Sequence, residues 1–385
     1  MDNKKCYAYV SSWSHGKGDS GLWVYSFNEE TGEITEKGCL DDKTECGVSF
    51  ADDKRQILYV LDESVDLPGK QGGGGRVLAF RLESDGSGTM ISEARTCCPN
   101  PSYVTEDSSG KYLLVSNHGG RACVTKILRG EDNKYRPCVE YDDSAVELFG
   151  INEDGSIGEI LDVVKHTGSG PDKRKQSNAH PHCVVMSPDG KLFAVCDKGN
   201  DGVYMYRIDR EKERLVETGT CYRTEPGSEP RFGAFHPNGK FFYQNNEGKP
   251  VVNAYTYDDN GTLRLIGSYD VFSEAKQNVE GEKVQQGLCM DQAGQYLYSV
   301  THDPAMIIVF KIDQVSGALE LIQNKRINAE WPRGCALSPN GGFLAVTGMK
   351  SGNVISLAVG EDGTLTDTGF SVNQAGAAYI TFFEG

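Results

Sequence analysis

The chain has 385 residues, 38% hydrophobic and 24% charged, the composition of a folded globular protein with a sizeable core. Its 55 acidic residues against 39 basic ones leave a formal charge of −16, which makes nucleic acid and an anionic membrane surface poor partners. No stretch approaches the roughly 20 apolar residues a membrane helix needs.

The opening residues 1–7 run straight into a strand pattern without the apolar core of a signal peptide, so the expected compartment is the cytoplasm. The 12 cysteines agree with it. None forms a C-x-x-C pair, and Cys6, Cys183, Cys196, Cys289 and Cys335 sit at apolar strand positions, as reduced, buried thiols do.

With 46 glycines and no long apolar periodicity, the chain reads as short strands joined by turns, in seven repeats. The first repeat is incomplete, with strands over 6–13, 21–28 and 33–38. The second runs from Gly47 through 57–62 and 76–82. The glycine run that ends its linker, 72–75, lacks the strand–loop–helix context of a phosphate cradle and reads as a hairpin loop. The third opens at Pro101, passes a turn at 107–110 into 112–117, carries an insertion over 121–143 and resumes at 145–151. A basic loop, 168–175, follows; such a charge run reads as solvated first and as an anion contact second.

The fourth and fifth repeats are the clearest copies. His180-Pro181-His182 leads to Ser187-Pro188-Asp189-Gly190, and Pro230-Arg231 leads to His236-Pro237-Asn238-Gly239. Each predicts a strand, a turn with Pro at its first corner and Asx-Gly in left-handed positions, then a second strand. The sixth turns at 291–294, and the seventh opens at Trp331-Pro332-Arg333 and turns at 338–341. The first repeat lacks an innermost strand, and the chain closes on an unpaired one, 378–383. An all-β, seven-bladed β-propeller, a single domain over 1–385, satisfies both ends. Its C-terminal strand completes the N-terminal blade, and no sheet edge of the ring is left open.

In a propeller the first strand of each blade lines the central channel, so equivalent positions form a ring. Counting back five residues from each turn opener gives Ser102, His182, Arg231, Gln286 and Arg333, with a looser count to Cys46 in the second repeat. The ends of the second strands give another ring: Glu63, His118, Lys198, Glu247, His302 and Met349. Charges gathered at one wet channel mouth either tie blades together or act on a ligand. His180 and His182 share a strand face, but no third ligand accompanies them at a metal-binding spacing, so no metal is expected. His236 holds the turn slot of Ser187 and Ser338 and reads as a turn hydrogen-bonder. No G-x-S-x-G elbow is present.

His180-Pro181-His182, Pro230-Arg231, Asn246-Glu247 and Pro332-Arg333-Gly334, with Gly168-Ser169-Gly170-Pro171 ahead of them, resemble the motifs of the seven-bladed lactonase family. That family comprises propeller-type 6-phosphogluconolactonases and fungal carboxy-muconate cyclases, and the resemblance covers nearly the whole chain. It implies a site of His182, Arg231, Glu247 and Arg333. The ring positions and their neighbours add His180, Gln286, His118 and His302 as substrate contacts. The implied reaction is hydrolysis of an anionic sugar lactone, 6-phosphogluconolactone to 6-phosphogluconate in the pentose phosphate pathway, with no cofactor.

Lactone opening needs an activated water and a stabilised tetrahedral oxyanion. Either Glu247 or His182 takes the proton. Arg231 and Arg333 grip a phosphate or carboxylate, or face the oxyanion. The chain departs from the family pattern at Phe232, where members commonly carry His, over 279–283, and in the insertion at 121–143. Two other readings are a carboxy-muconate-type cycloisomerase and a non-catalytic binding propeller, whose ring would resolve into structural pairs.

Overall fold

The computed structural model describes residues 5–14, 20–219, 221–272 and 284–385. Among the described residues there is no helix, hence none long and apolar enough to cross a membrane. The strands form seven sheets of at least four strands, each a meander of antiparallel neighbours, together with two separate two-stranded ribbons. Six blades run in chain order from the innermost strand outward. The first is closed from both ends of the chain: Ala377–Glu384 pairs antiparallel with Cys6–Ser12, setting Tyr7 opposite Phe383 and Tyr9 opposite Thr381. The expected propeller, with its C-terminal strand innermost in the N-terminal blade, is the observed fold.

The turns differ in detail from the expected pair of left-handed residues. Gly190 and Gly239 take the left-handed conformation, at φ 70° and 71°, while Asp189 and Asn238 do not. The Gly190 amide donates to Ser187 O at 2.9 Å, and Ser187 Oγ accepts from the Leu192 amide at 3.0 Å, closing a loop with Pro at its first corner. His236 does the same work with a ring: Nδ1 accepts from the Asn238 amide at 3.1 Å and Nε2 donates to Gly294 O at 2.8 Å.

Blades are tied face to face by a repeated strut. In four blades the second strand places a fully buried tyrosine whose hydroxyl donates to a glycine carbonyl in an outer turn of the next blade. The pairs are Tyr9–Gly86 at 3.0 Å, Tyr59–Gly155 at 2.9 Å, Tyr243–Gly317 at 3.1 Å and Tyr298–Gly363 at 3.1 Å. The ring covers apolar area between sheets, and each hydroxyl finds the partner a buried phenol requires.

The insertion at 121–143 forms one of the extra ribbons, Cys123–Arg129 against Tyr135–Tyr141, and is exposed along its length. Part of the glycine run forms the other, Lys70–Gly73 against Asp66–Leu67. The 12 cysteines are free thiols: Cys6, Cys183 and Cys196 are buried, and Cys289 and Cys335 are half-buried with their Sγ atoms 3.5 Å apart.

Candidate active site

One backbone irregularity, repeated in every blade, builds the site. Pro181 pairs with Asp197, but the next pair is Cys183 with Cys196, which leaves His182 unopposed. The same slip follows Pro101, Pro230 and Pro332, setting free Ser102, then Arg231 with Phe232, then Arg333 with Gly334. A bulge at the start of a strand bends it and re-aims the extra side chain, here toward the channel. Proline suits this first position because it has no amide to offer the ladder. Directly opposite, the second strand ends, and the residue after its last pair turns into the same space: Glu63, His118, Lys198, Glu247 and Met349.

These two rings line a cavity of about 470 Å³. His182, Arg231, Glu247 and Arg333 all reach it, as do Gln286, His118, His302 and Ser102. Trp13, from the first blade, and Arg121, at the root of the exposed ribbon, also line it, and neither is among the expected site residues. Trp13 was within reach, since it follows the last residue of a second strand, Cys6–Ser12.

Two expectations need correcting. Cys46 occupies the proline position, paired with Asp62, and the ring position of the second blade is Gly47. A strict count of five back from Asp52 finds it. His180 is fully buried and does not line the cavity: Nδ1 donates to the backbone O of His118 at 2.7 Å, and its ring stacks on the His118 ring at 4.1 Å. It supports the site from behind. Residues 279–283 lie outside the described residues. The basic loop stays outside the cavity, its Lys173 donating to Gly170 O at 2.9 Å and its Arg174 exposed.

At the centre, Glu247 is held by two cations. Lys198 Nζ stands 2.7 Å from Oε1, and Arg231 Nη1 bonds Oε2. Burial pushes the Glu247 carboxyl up, but the Lys198 and Arg231 charges and hydrogen bonds outweigh it and hold the group well below the usual carboxylate range. Arg231 is nearly fully buried, and its Nε and Nη2 have no partner among the described residues. Buried guanidinium donors are seldom left open. The His182 ring lies edge-on to Phe232 at 5.3 Å. Burial, reinforced by the Arg231 and Lys198 charges, holds this imidazole well below 6.5, so it is neutral.

Arg333 sits between aromatic faces, 4.6 Å from the Trp13 ring and 5.2 Å from that of Tyr379. Its Nε donates to the Tyr379 hydroxyl at 3.2 Å, and Nη2 is 3.5 Å from Glu63 Oε2. Among the described residues no group of three or more His, Cys, Asp or Glu is arranged to hold a metal ion.

A second cavity, of about 850 Å³, is lined by Tyr103 and Phe232, packed edge-on at 5.7 Å. Its charged lining is Asp53, Asp291, Glu361 and Glu384, with no basic side chain among the described residues. Of these two cavities, the first is the one that offers cations to an anionic ligand.

The comparisons with known proteins agree with this architecture. The family model described as Lactonase, 7-bladed beta-propeller, matches residues 7–382. The chain belongs to that family. Among lactonase-family relatives, a 6-phosphogluconolactonase of Formosa agariphila is 27% identical over 353 residues, 90% of each chain. A 6-phosphogluconolactonase of Bacillus subtilis is 24% identical over 353 residues, 91% of this chain and 90% of the relative. The solved structure of a periplasmic gluconolactonase from Pseudomonas aeruginosa superposes with a TM-score of 0.83 at 24% identity, covering 98% of this chain and 99% of the other.

Proposed function

We propose that this lactonase-family protein hydrolyses a sugar lactone, with 6-phosphogluconolactone as substrate and 6-phosphogluconate as product, as a cytoplasmic step of the pentose phosphate pathway. The observation that carries the reading is Arg231. A buried guanidinium with two open donors stands beside a neutral imidazole in a cavity that also presents Lys198 and Arg333. Such donors suit an oxyanion or a phosphate, and held in place by a buried ion pair they stabilise developing charge far better than water does. The names of the Formosa and Bacillus relatives point to the same substrate.

In this reading the lactone carbonyl lies toward Arg231, so that charge on its oxygen falls on Nε and Nη2 as water adds to the carbon. The phosphate lies toward Arg333, whose planar fork matches a phosphate face. His182, being neutral, offers a lone pair or an N–H rather than a charge. Against a molecule of net charge −16, the cations mark where an anion binds.

The test of substrate class compares freshly prepared 6-phosphogluconolactone with uncharged gluconolactone. The phosphorylated lactone should show a kcat/KM at least tenfold higher. Equal values would remove the phosphate from the account.

A further inference from the structure

Glu63 and Glu247 share one cavity but stand in opposite chemical situations. Both oxygens of Glu247 are engaged by cations. Glu63 is the more deeply buried of the two, 3% exposed at its side chain against 14%, yet its Oε1 has no hydrogen-bond partner among the described residues and its Oε2 reaches Arg333 only at 3.5 Å. The backbone prepares this place. Gly47 holds the ring position of the second blade, where Ser102, His182, Arg231 and Arg333 stand in the third, fourth, fifth and seventh. A Cβ on Gly47 would overlap the Glu63 carboxylate. The glycine therefore lets Glu63 cross the innermost strand and stand where that blade's own ring side chain would be.

We propose that Glu63 is the catalytic residue that takes the proton from the hydrolytic water, and that Glu247 is a positioning residue whose fixed charge holds Lys198 and Arg231. This rests on the lactonase reading. The ionised Glu63 accepts one proton as the water oxygen bonds to the lactone carbonyl carbon, and the carbonyl electron pair moves onto its oxygen, facing Arg231. Collapse of the tetrahedral species re-forms the carbonyl and breaks the bond to the ring oxygen. Glu63 returns its proton to that departing alkoxide, giving a hydroxy acid that loses its carboxyl proton to solvent. One water is consumed and the carboxylate is regenerated.

The electrostatics suit the role. Burial raises the Glu63 carboxyl above its ordinary value against the opposing charges of Arg333 from the seventh blade and Arg231 from the fifth and the pull of the Val48 backbone amide, with the neighbouring Asp62 adding to the rise. A less acidic carboxylate is the better proton acceptor. Glu247, held far in the other direction, is a poor one.

The experiment measures kcat, KM and their pH dependence with 6-phosphogluconolactone for wild type, Glu63→Gln, Glu63→Asp and Glu247→Gln. Glu63→Gln should lower kcat about 10²-fold or more, with KM within about threefold of wild type, and abolish the acid limb of the kcat profile; Glu63→Asp should restore part of both. Glu247→Gln should raise KM as well as lower kcat, because it releases Arg231. The wild-type acid limb should lie above the ordinary glutamate value of about 4.3, a readout that needs no variant to fold. An active wild type whose Glu63→Gln form keeps kcat within twofold, or whose acid limb lies at or below that value, overturns the assignment and leaves the lactonase reading standing. A wild type that releases no acid above the spontaneous rate overturns both.

Discussion

Lys198 Nζ lies 2.7 Å from Glu247 Oε1, with the lysine 5% and the glutamate 14% exposed at their side chains. Arg231, on the other oxygen of the same carboxylate, is 4% exposed. The sequence reading had placed these groups at a wet channel mouth, where ion pairs add little to stability. They form instead a buried triad of two cations and one anion, in which losing the anion strands both cations.

Glu247→Gln should therefore cost stability as well as turnover, about 3 kcal/mol at neutral pH, read by chemical denaturation. The pH dependence has a definite sign. A carboxyl depressed in the folded state stabilises above its unfolded pKa of about 4.3. That contribution fades as pH falls toward the folded value. The gap between wild type and variant should hold from pH 8 to pH 5 and close only in stronger acid. A gap absent at pH 7 would show that the triad is not a strut.

Glu63→Gln should do the reverse. A carboxyl raised in the folded state stabilises fully below its unfolded pKa and loses that contribution as pH rises through the folded one. Above the folded value the ionised, buried Glu63 is a cost, so there the variant should unfold at the same denaturant concentration as wild type or a higher one. Its advantage should shrink toward pH 4. A variant much weaker than wild type at pH 7 would mean that the Arg333 contact outweighs burial.

Arg333→Lys keeps the charge and loses the plane that lies against Trp13 and Tyr379, together with the Nε donor to the Tyr379 hydroxyl. We expect kcat/KM to fall on the order of tenfold or more, about 1.4 kcal/mol per tenfold, with little change in melting. Steady-state kinetics beside a thermal melt decides it. Retained activity would place the phosphate elsewhere.

The blades and the rings were legible because a propeller repeats its chemistry. Pro230-Arg231 and Pro332-Arg333 announce the same bulge, and the turn openers fix the count from it. What the count could not carry was burial. Lys198 and Glu63 appeared in the second ring with nothing to mark one as locked to Glu247 and the other as loosely held, with one oxygen unpartnered. That difference depends on which side chain a neighbouring blade presents. His180 misled for the same reason, since two residues along a regular strand share a face, whereas the slip after Pro181 sends His182 into the cavity and leaves His180 behind His118.

The blade struts supply a control far from the cavity. Tyr243→Phe removes the hydroxyl that reaches Gly317 O and orphans one carbonyl. It should cost about 1 kcal/mol in denaturation and leave kcat and KM unchanged. A kinetic change would tie the outer blade contacts to the site.

The most direct test is acid release from fresh 6-phosphogluconolactone in weakly buffered solution, wild type beside Arg231→Lys. The lysine keeps a charge for Glu247 but removes the two open guanidinium donors. The account predicts release well above the spontaneous rate with wild type and a rate near the spontaneous one with the variant, both proteins being folded by circular dichroism. A wild type no faster than buffer, or a folded variant as fast as wild type, would contradict it.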